Sequence, residues 1–132
     1  MKRFGLSKKE RIKKKKDFEI VYSTGSTLYS ESKKFKVVFL LRKNTEQPEI
    51  KVAFGVFKKA GKAVWRNRVK RLMRESFRMN KLFLYSLCKE KNCSLLLVFS
   101  PNNLNQKKNR VIRLDEVQPE IVELIRKIGD SI

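Results

Sequence analysis

Between two short apolar runs, IKVAFGVF (residues 50–57) and SLLLVF (residues 94–99), lies the stretch AVWRNRVKRLMRESFR, residues 63–78. It carries six basic side chains and one acid, yet its apolar residues keep a helical spacing. At about 100° per residue, Trp65, Val69, Leu72, Met73 and Ser76 fall on one side, with Phe77 at the edge of that stripe. Asn67, Lys70, Arg71, Arg74 and Arg78 fall opposite, and Arg66 and Arg68 run along the borders. Such a helix must pack its stripe on a sheet and turn a cationic ridge outward. With apolar strands on either side of it, the chain is constrained to an α/β fold.

A ridge that merely keeps the protein soluble would mix both signs of charge. Here like charges sit at i,i+4, as in Lys70 and Arg74, where each pair destabilises an isolated helix by a few tenths of a kcal/mol. Arginine also outnumbers lysine five to one on this helix, although lysine is commoner in the whole chain. Planar guanidinium groups bridge phosphates and stack on bases, which suits folded RNA. The whole composition points the same way: 33 Lys and Arg against 13 Asp and Glu leave a net charge of +20, which repels itself unless a polyanion is the usual partner.

The 132 residues suit one domain, residues 1–132, with a basic N-terminal arm over about 1–14 and a basic loop over about 101–113. Hydrophobic residues, nine Phe among them, make up 41% of the chain, enough for a core. No apolar run approaches the roughly 20 residues that span a bilayer, and no hydrophobic segment follows the basic start MKRFGLSKKER. A cytoplasmic location and no membrane contact are therefore expected. Cys88 and Cys93 then read as free thiols, and two Cys with no His are too few for structural zinc. Catalysis by the protein alone is not expected. Histidine is absent, Asp17, Asp115 and Asp130 lie far apart, Glu75 stands among arginines as an ion-pair partner, and no Gly-rich phosphate loop occurs.

Residues 7–24 read as a helix, with a Ser7/Glu10 capping box and Gly25 as the stop. A start nearer Lys15, which leaves the lysine run as an extended arm, fits as well. Strands follow at 33–42 and 50–57, with a short one around Thr27–Ser30, and NTEQPE turns the chain between the two long strands. If those two strands pair, Ile50, Val52, Phe54 and Val56 line a dry face, while Lys36, Val38, Leu40 and Lys51 line a mixed one. The arginine-rich helix is expected over about 62–81 with another turn or two, then a buried strand at 94–99 and an unpatterned loop at 102–113. A last helix covers about 116–128, with Pro119 near its first turn and Gly129 after its end.

KKAGKAVWRNRVKRLMRE, residues 58–75, resembles the signature of the bacterial ribonuclease P protein subunit, an Arg-Asn-Arg helix preceded by a Lys-Lys, Gly and Ala-Val approach. RIKKKKDFEIVYSTG, residues 11–25, is similar to that family's basic arm, Asp-Phe pair, following aromatic and glycine. With the strands IKVAFGVF and SLLLVF in the corresponding places, the likeness runs over roughly residues 11–128. It implies a small two-layer α/β sandwich of about four mixed strands and three helices, with the arginine-rich helix in a left-handed crossover.

The resemblance further implies a subunit that assists a catalytic RNA in removing the 5′ leader of precursor tRNA, with Mg2+ held mainly by the RNA. The implied partners are ribonuclease P RNA and precursor tRNA; no protein partner is evident. Lys58, Lys59, Lys62, Arg66, Asn67, Arg68, Lys70, Arg71 and Arg74 would contact the RNA subunit. A cleft between the first helix and the sheet would hold the leader with Arg11, Lys13, Lys14, Phe18, Tyr22, Lys36, Val38 and Lys51. Phe18 suits the core and the cleft equally, whereas the polar tip of Tyr22 favours the cleft. A structural RNA-binding protein, such as a ribosomal protein, would share the charge and the ridge. The chain departs from the family pattern at Phe57, where a small polar residue is usual, and at Ser100-Pro101, where an Arg is usual. Its 102–113 loop is also longer than is typical.

Overall fold

A computed structural model describes residues 8–132, so the expected cap at Ser7 lies outside the described residues. The arm makes one short 3-10 turn, Lys8–Glu10, and then runs extended. Helix α1 (Lys15–Thr24) follows, then strands β1 (Ser26–Tyr29), β2 (Phe35–Arg42) and β3 (Ile50–Phe54). Next come a 3-10 turn at Lys58–Ala60 and helices α2 (Ala63–Asn80) and α3 (Leu82–Lys91). Strand β4 (Ser94–Pro101) and helix α4 (Leu114–Asp130) complete the chain.

The four strands lie in the order β1-β2-β4-β3. Strand β4 is antiparallel to β2 and parallel to β3. The two long strands expected to pair are therefore separated by β4, because its eight residues are buried throughout and need a neighbour on each edge. The parallel β3–β4 pair is joined by a crossover through α2 and α3. The face alternation read from sequence survives this change, since every strand keeps its own period of two.

One sheet face, with Phe35, Val37, Ile50, Val52, Leu97 and Phe99, packs on α2, α3 and α4 to form the main core. Val69, Met73 and Phe77 of α2 are wholly buried there, as are Ile121, Leu124 and Ile128 of α4. Burial of each such side chain contributes roughly 1.5–3 kcal/mol. The opposite face carries Val38, Leu96 and Val98, and α1 covers it with Val21 while Phe18 packs at the margin.

Among the described residues there are four α-helices rather than three. Residues 82–91 do not extend α2 but form α3, whose apolar residues face two ways: Leu84 and Cys88 are buried while Leu82 and Phe83 are exposed. That spread leaves no clear period to read. The first helix starts at Lys15, not at residue 7, because the Ile12 N–H donates to the Val52 carbonyl (3.1 Å) and holds the arm against the β3 edge. The last helix continues past the expected stop to Asp130, so Gly129 is helical. A Cβ there would sit 2.6 Å from the Phe83 ring; the glycine permits close packing of α3 on α4.

Candidate nucleic-acid interface

The outward face of α2 is the cationic surface that the spacing predicts. Asn67, Arg68 and Arg71 are exposed, Arg66, Lys70 and Arg74 are half-buried, and Val64, Asn67, Arg68, Arg71 and Arg74 line a shallow hollow on it. The one acid of the helix, Glu75, pairs with Arg78 three residues on, so its charge is directed away from the hollow. Lys58, Lys59 and Lys62 stand exposed at the approach to the helix.

Two of the arginines also hold the fold together. Arg68 donates from Nε (3.0 Å) and a terminal nitrogen (2.9 Å) to the Ile112 carbonyl, and Arg66 Nε donates to the Gly61 carbonyl (3.1 Å). The segment that receives the Arg68 fork is the loop after β4, which is anchored rather than loose. The Gln106 N–H donates to the Ala60 carbonyl (2.7 Å), and Gln106 Oε1 accepts from the Lys62 N–H (2.7 Å). Trp65 Nε1 donates to the Asn109 carbonyl (2.9 Å). The loop thus clasps the N-terminal turn of α2. Sequence reasoning missed Gln106 and Asn109, since the partners lie about 44 residues away and the loop has no period of its own.

On the other sheet face, α1 leaves an open hollow at each of its ends. At the Tyr22 end, Tyr22, Lys36, Gly55, Phe57 and Ser100 surround a hollow of about 230 Å³. Tyr22 is 59% exposed, and partial desolvation raises the pKa of its hydroxyl, which keeps it a hydrogen-bond donor. Lys36 Nζ lies 5.8 Å from the centre of the Phe57 ring, a cation–π contact. At the other end, Arg11, Phe18, Ala53, Lys70 and Arg74 surround a hollow of about 250 Å³. Phe18 both packs against the core under α1 and lines this hollow. Val38 does not line the cleft: it is 7% exposed and packs beneath α1 with Val21 and Leu96. Lys51, half-buried, lies beside Leu96 on that same face, and Lys13 and Lys14 are exposed just before α1.

The arm that carries Arg11 is tied down at Glu10. Its carboxylate accepts from Lys81 Nζ (2.8 Å) and from the Tyr85 hydroxyl, at the junction of α2 and α3. Arg11 bridges to Val52 across the β3 edge, which sets it beside Lys70 and Arg74. Residues assigned from sequence to two surfaces, leader cleft and RNA ridge, thus meet in one hollow. Among the described residues, no group of three or more His, Cys, Asp or Glu comes together to hold a metal ion.

The sequence matches the family model described as Ribonuclease P over residues 6–126. This chain belongs to the ribonuclease P protein family. A relative from Clostridium novyi, a ribonuclease P protein component, is 34% identical over 124 residues, which cover 94% of this chain and 97% of that protein. The component from Alkaliphilus metalliredigens is 37% identical over 76 residues, and there this chain spans 64% of the relative's length. The ribonuclease P protein from Thermotoga maritima shares the fold with a TM-score of 0.66 at 27% identity, covering 89% of this chain and 96% of that one.

Proposed function

We propose that this chain is the protein subunit of a ribonuclease P. It binds the catalytic RNA through the α2 ridge and its approach, Lys58 to Arg74. The 5′ leader of precursor tRNA lies in the cleft between α1 and the sheet, and the subunit thereby promotes endonucleolytic removal of the leader. The observation that carries this reading is the meeting of Arg11 and Phe18 with Lys70 and Arg74 in one hollow. A strand in the cleft and an RNA on the ridge would then share one cationic border. An unpaired leader is held by stacking on aromatics and by charge along its backbone, which tolerates any leader sequence.

In this reading Mg2+ is held mainly by the RNA subunit; of the protein's acids, Glu10 pairs with Lys81, Glu75 with Arg78 and Glu123 with Lys127. The subunit works in the cytoplasm in this reading; no helix among the described residues is long and apolar enough to cross a membrane.

The test is cleavage of precursor tRNA at low Mg2+ by a bacterial ribonuclease P RNA, with and without this protein. Protein-dependent release of the 5′ leader, with none from the protein alone, is the expected result. Binding of the RNA with no change in cleavage would overturn it in favour of a structural RNA-binding role.

A further inference from the structure

Beyond the Tyr22 end of the cleft lies a larger pocket, about 680 Å³, between the 56–60 turn and the start of the loop after β4. Val56, Phe57, Lys58 and Lys59 form one wall, and Pro101, Asn102, Asn103, Leu104 and Asn105 the other. Phe57 is 68% exposed and lines both this pocket and the Tyr22 hollow. Phe57 thus stands between the hollow at Tyr22 and Lys36 and this pocket.

We propose that this pocket receives one unpaired nucleobase of the RNA strand held in the cleft, stacked on Phe57; the inference rests on the leader-binding reading above. The aromatic, carboxamide and lysine side chains of the pocket have a matching chemistry. An exposed aromatic ring offers a stacking platform, side-chain carboxamides can hydrogen-bond base edges, and two lysines meet the flanking phosphates. The pocket contains no acid that would repel a phosphate. Its mouth is also preformed. Gln106 fastens the far wall to the near one through the Ala60 carbonyl and the Lys62 N–H, and Asn102 is pinned by its N–H to the Lys34 carbonyl (2.7 Å). Little ordering is then left for the moment of binding.

The walls are built by Phe57, by Pro101 at the end of β4 and by the first residues of the loop that follows. Charge alone would hold the strand without regard to its bases, whereas this pocket makes one leader position depend on having a base.

The experiment uses the assembled particle of this protein and ribonuclease P RNA, with precursor tRNAs whose leaders carry an abasic nucleotide at successive positions. Binding is measured for the unaltered protein, Phe57→Ser and Tyr22→Ala, after thermal unfolding confirms that each variant folds. One abasic position should weaken binding to the unaltered protein by about tenfold, the size of one stacked base, and the same position should cost nothing in Phe57→Ser. If Phe57→Ser keeps the unaltered profile while Tyr22→Ala loses affinity, the leader cleft stands and the pocket proposal fails. If removal of the whole leader changes binding to none of the three proteins, the leader reading itself fails and takes the pocket with it.

Discussion

Arg68, on the border of the apolar stripe, and Arg71, opposite it, belong to one cationic helix, but their surroundings differ. Arg68 spends its fork on the Ile112 carbonyl, whereas Arg71 is exposed along the hollow. Replacing Arg68 with alanine should therefore lower stability by about 1 kcal/mol as well as weaken RNA binding. Replacing Arg71 should leave the melting temperature unchanged and reduce the slope of log K against log salt by about one. Thermal unfolding together with a salt titration of RNA binding separates the two. If Arg71→Ala keeps the full salt slope, the ridge is only a solvated face. Phe57 is a second case at this scale: the pocket it walls was not legible in the sequence, since the far wall comes from residues about 45 positions later.

At the scale of elements, the amphipathic helices were the most legible. The buried side of α2 is the one that its spacing predicts, and Phe77, placed at the stripe's edge, is wholly buried because the sheet brings Phe54 and Phe99 around it. The loop after β4 was the least legible. Its order depends on Gln106, Asn109 and Ile112 reaching groups on α2 and its approach. Gln106→Ala should free the Lys62 N–H and loosen the clasp. Hydrogen exchange at the Trp65 indole and the Lys62 amide should then speed up by about tenfold, while the core amides of β4 stay protected. Unchanged exchange at both groups would show that the Trp65 and Arg68 bonds hold the loop without Gln106. Gly61 belongs to the same clasp, since a Cβ there would come within 2.7 Å of the Trp65 ring.

For the whole molecule, a net charge of +20 means that folding concentrates like charges, and that a polyanion relieves the repulsion. One buried group makes the stability depend on pH. Burial and the Cys93 thiol push the Cys88 pKa from 9.0 up to about 12. The folded state thus holds that proton across about pH 9–12 while the unfolded chain gives it up. The stability that goes with the neutral thiol is fully present below about pH 9 and is lost as the pH rises toward 12. Tyr85, raised by burial and by Glu10, adds to the same loss. Melting temperature between pH 8 and 11 should fall more steeply for the unaltered protein than for Cys88→Ala, and parallel curves would remove the thiol from the account.

Periodicity and charge by themselves determined the class of fold, the two faces of each strand, the buried stripe of α2 and the outward ridge. All of these follow from local geometry, with about 3.6 residues per turn in a helix and two in a strand. The tertiary structure alone decided that β4 lies between β2 and β3 and that α3 breaks from α2. It also decided that Arg11 meets Arg74 and that the 102–113 loop clasps the arginine helix. Each of these is a contact between distant segments, fixed by which apolar faces can be buried together, and no spacing within a segment encodes it.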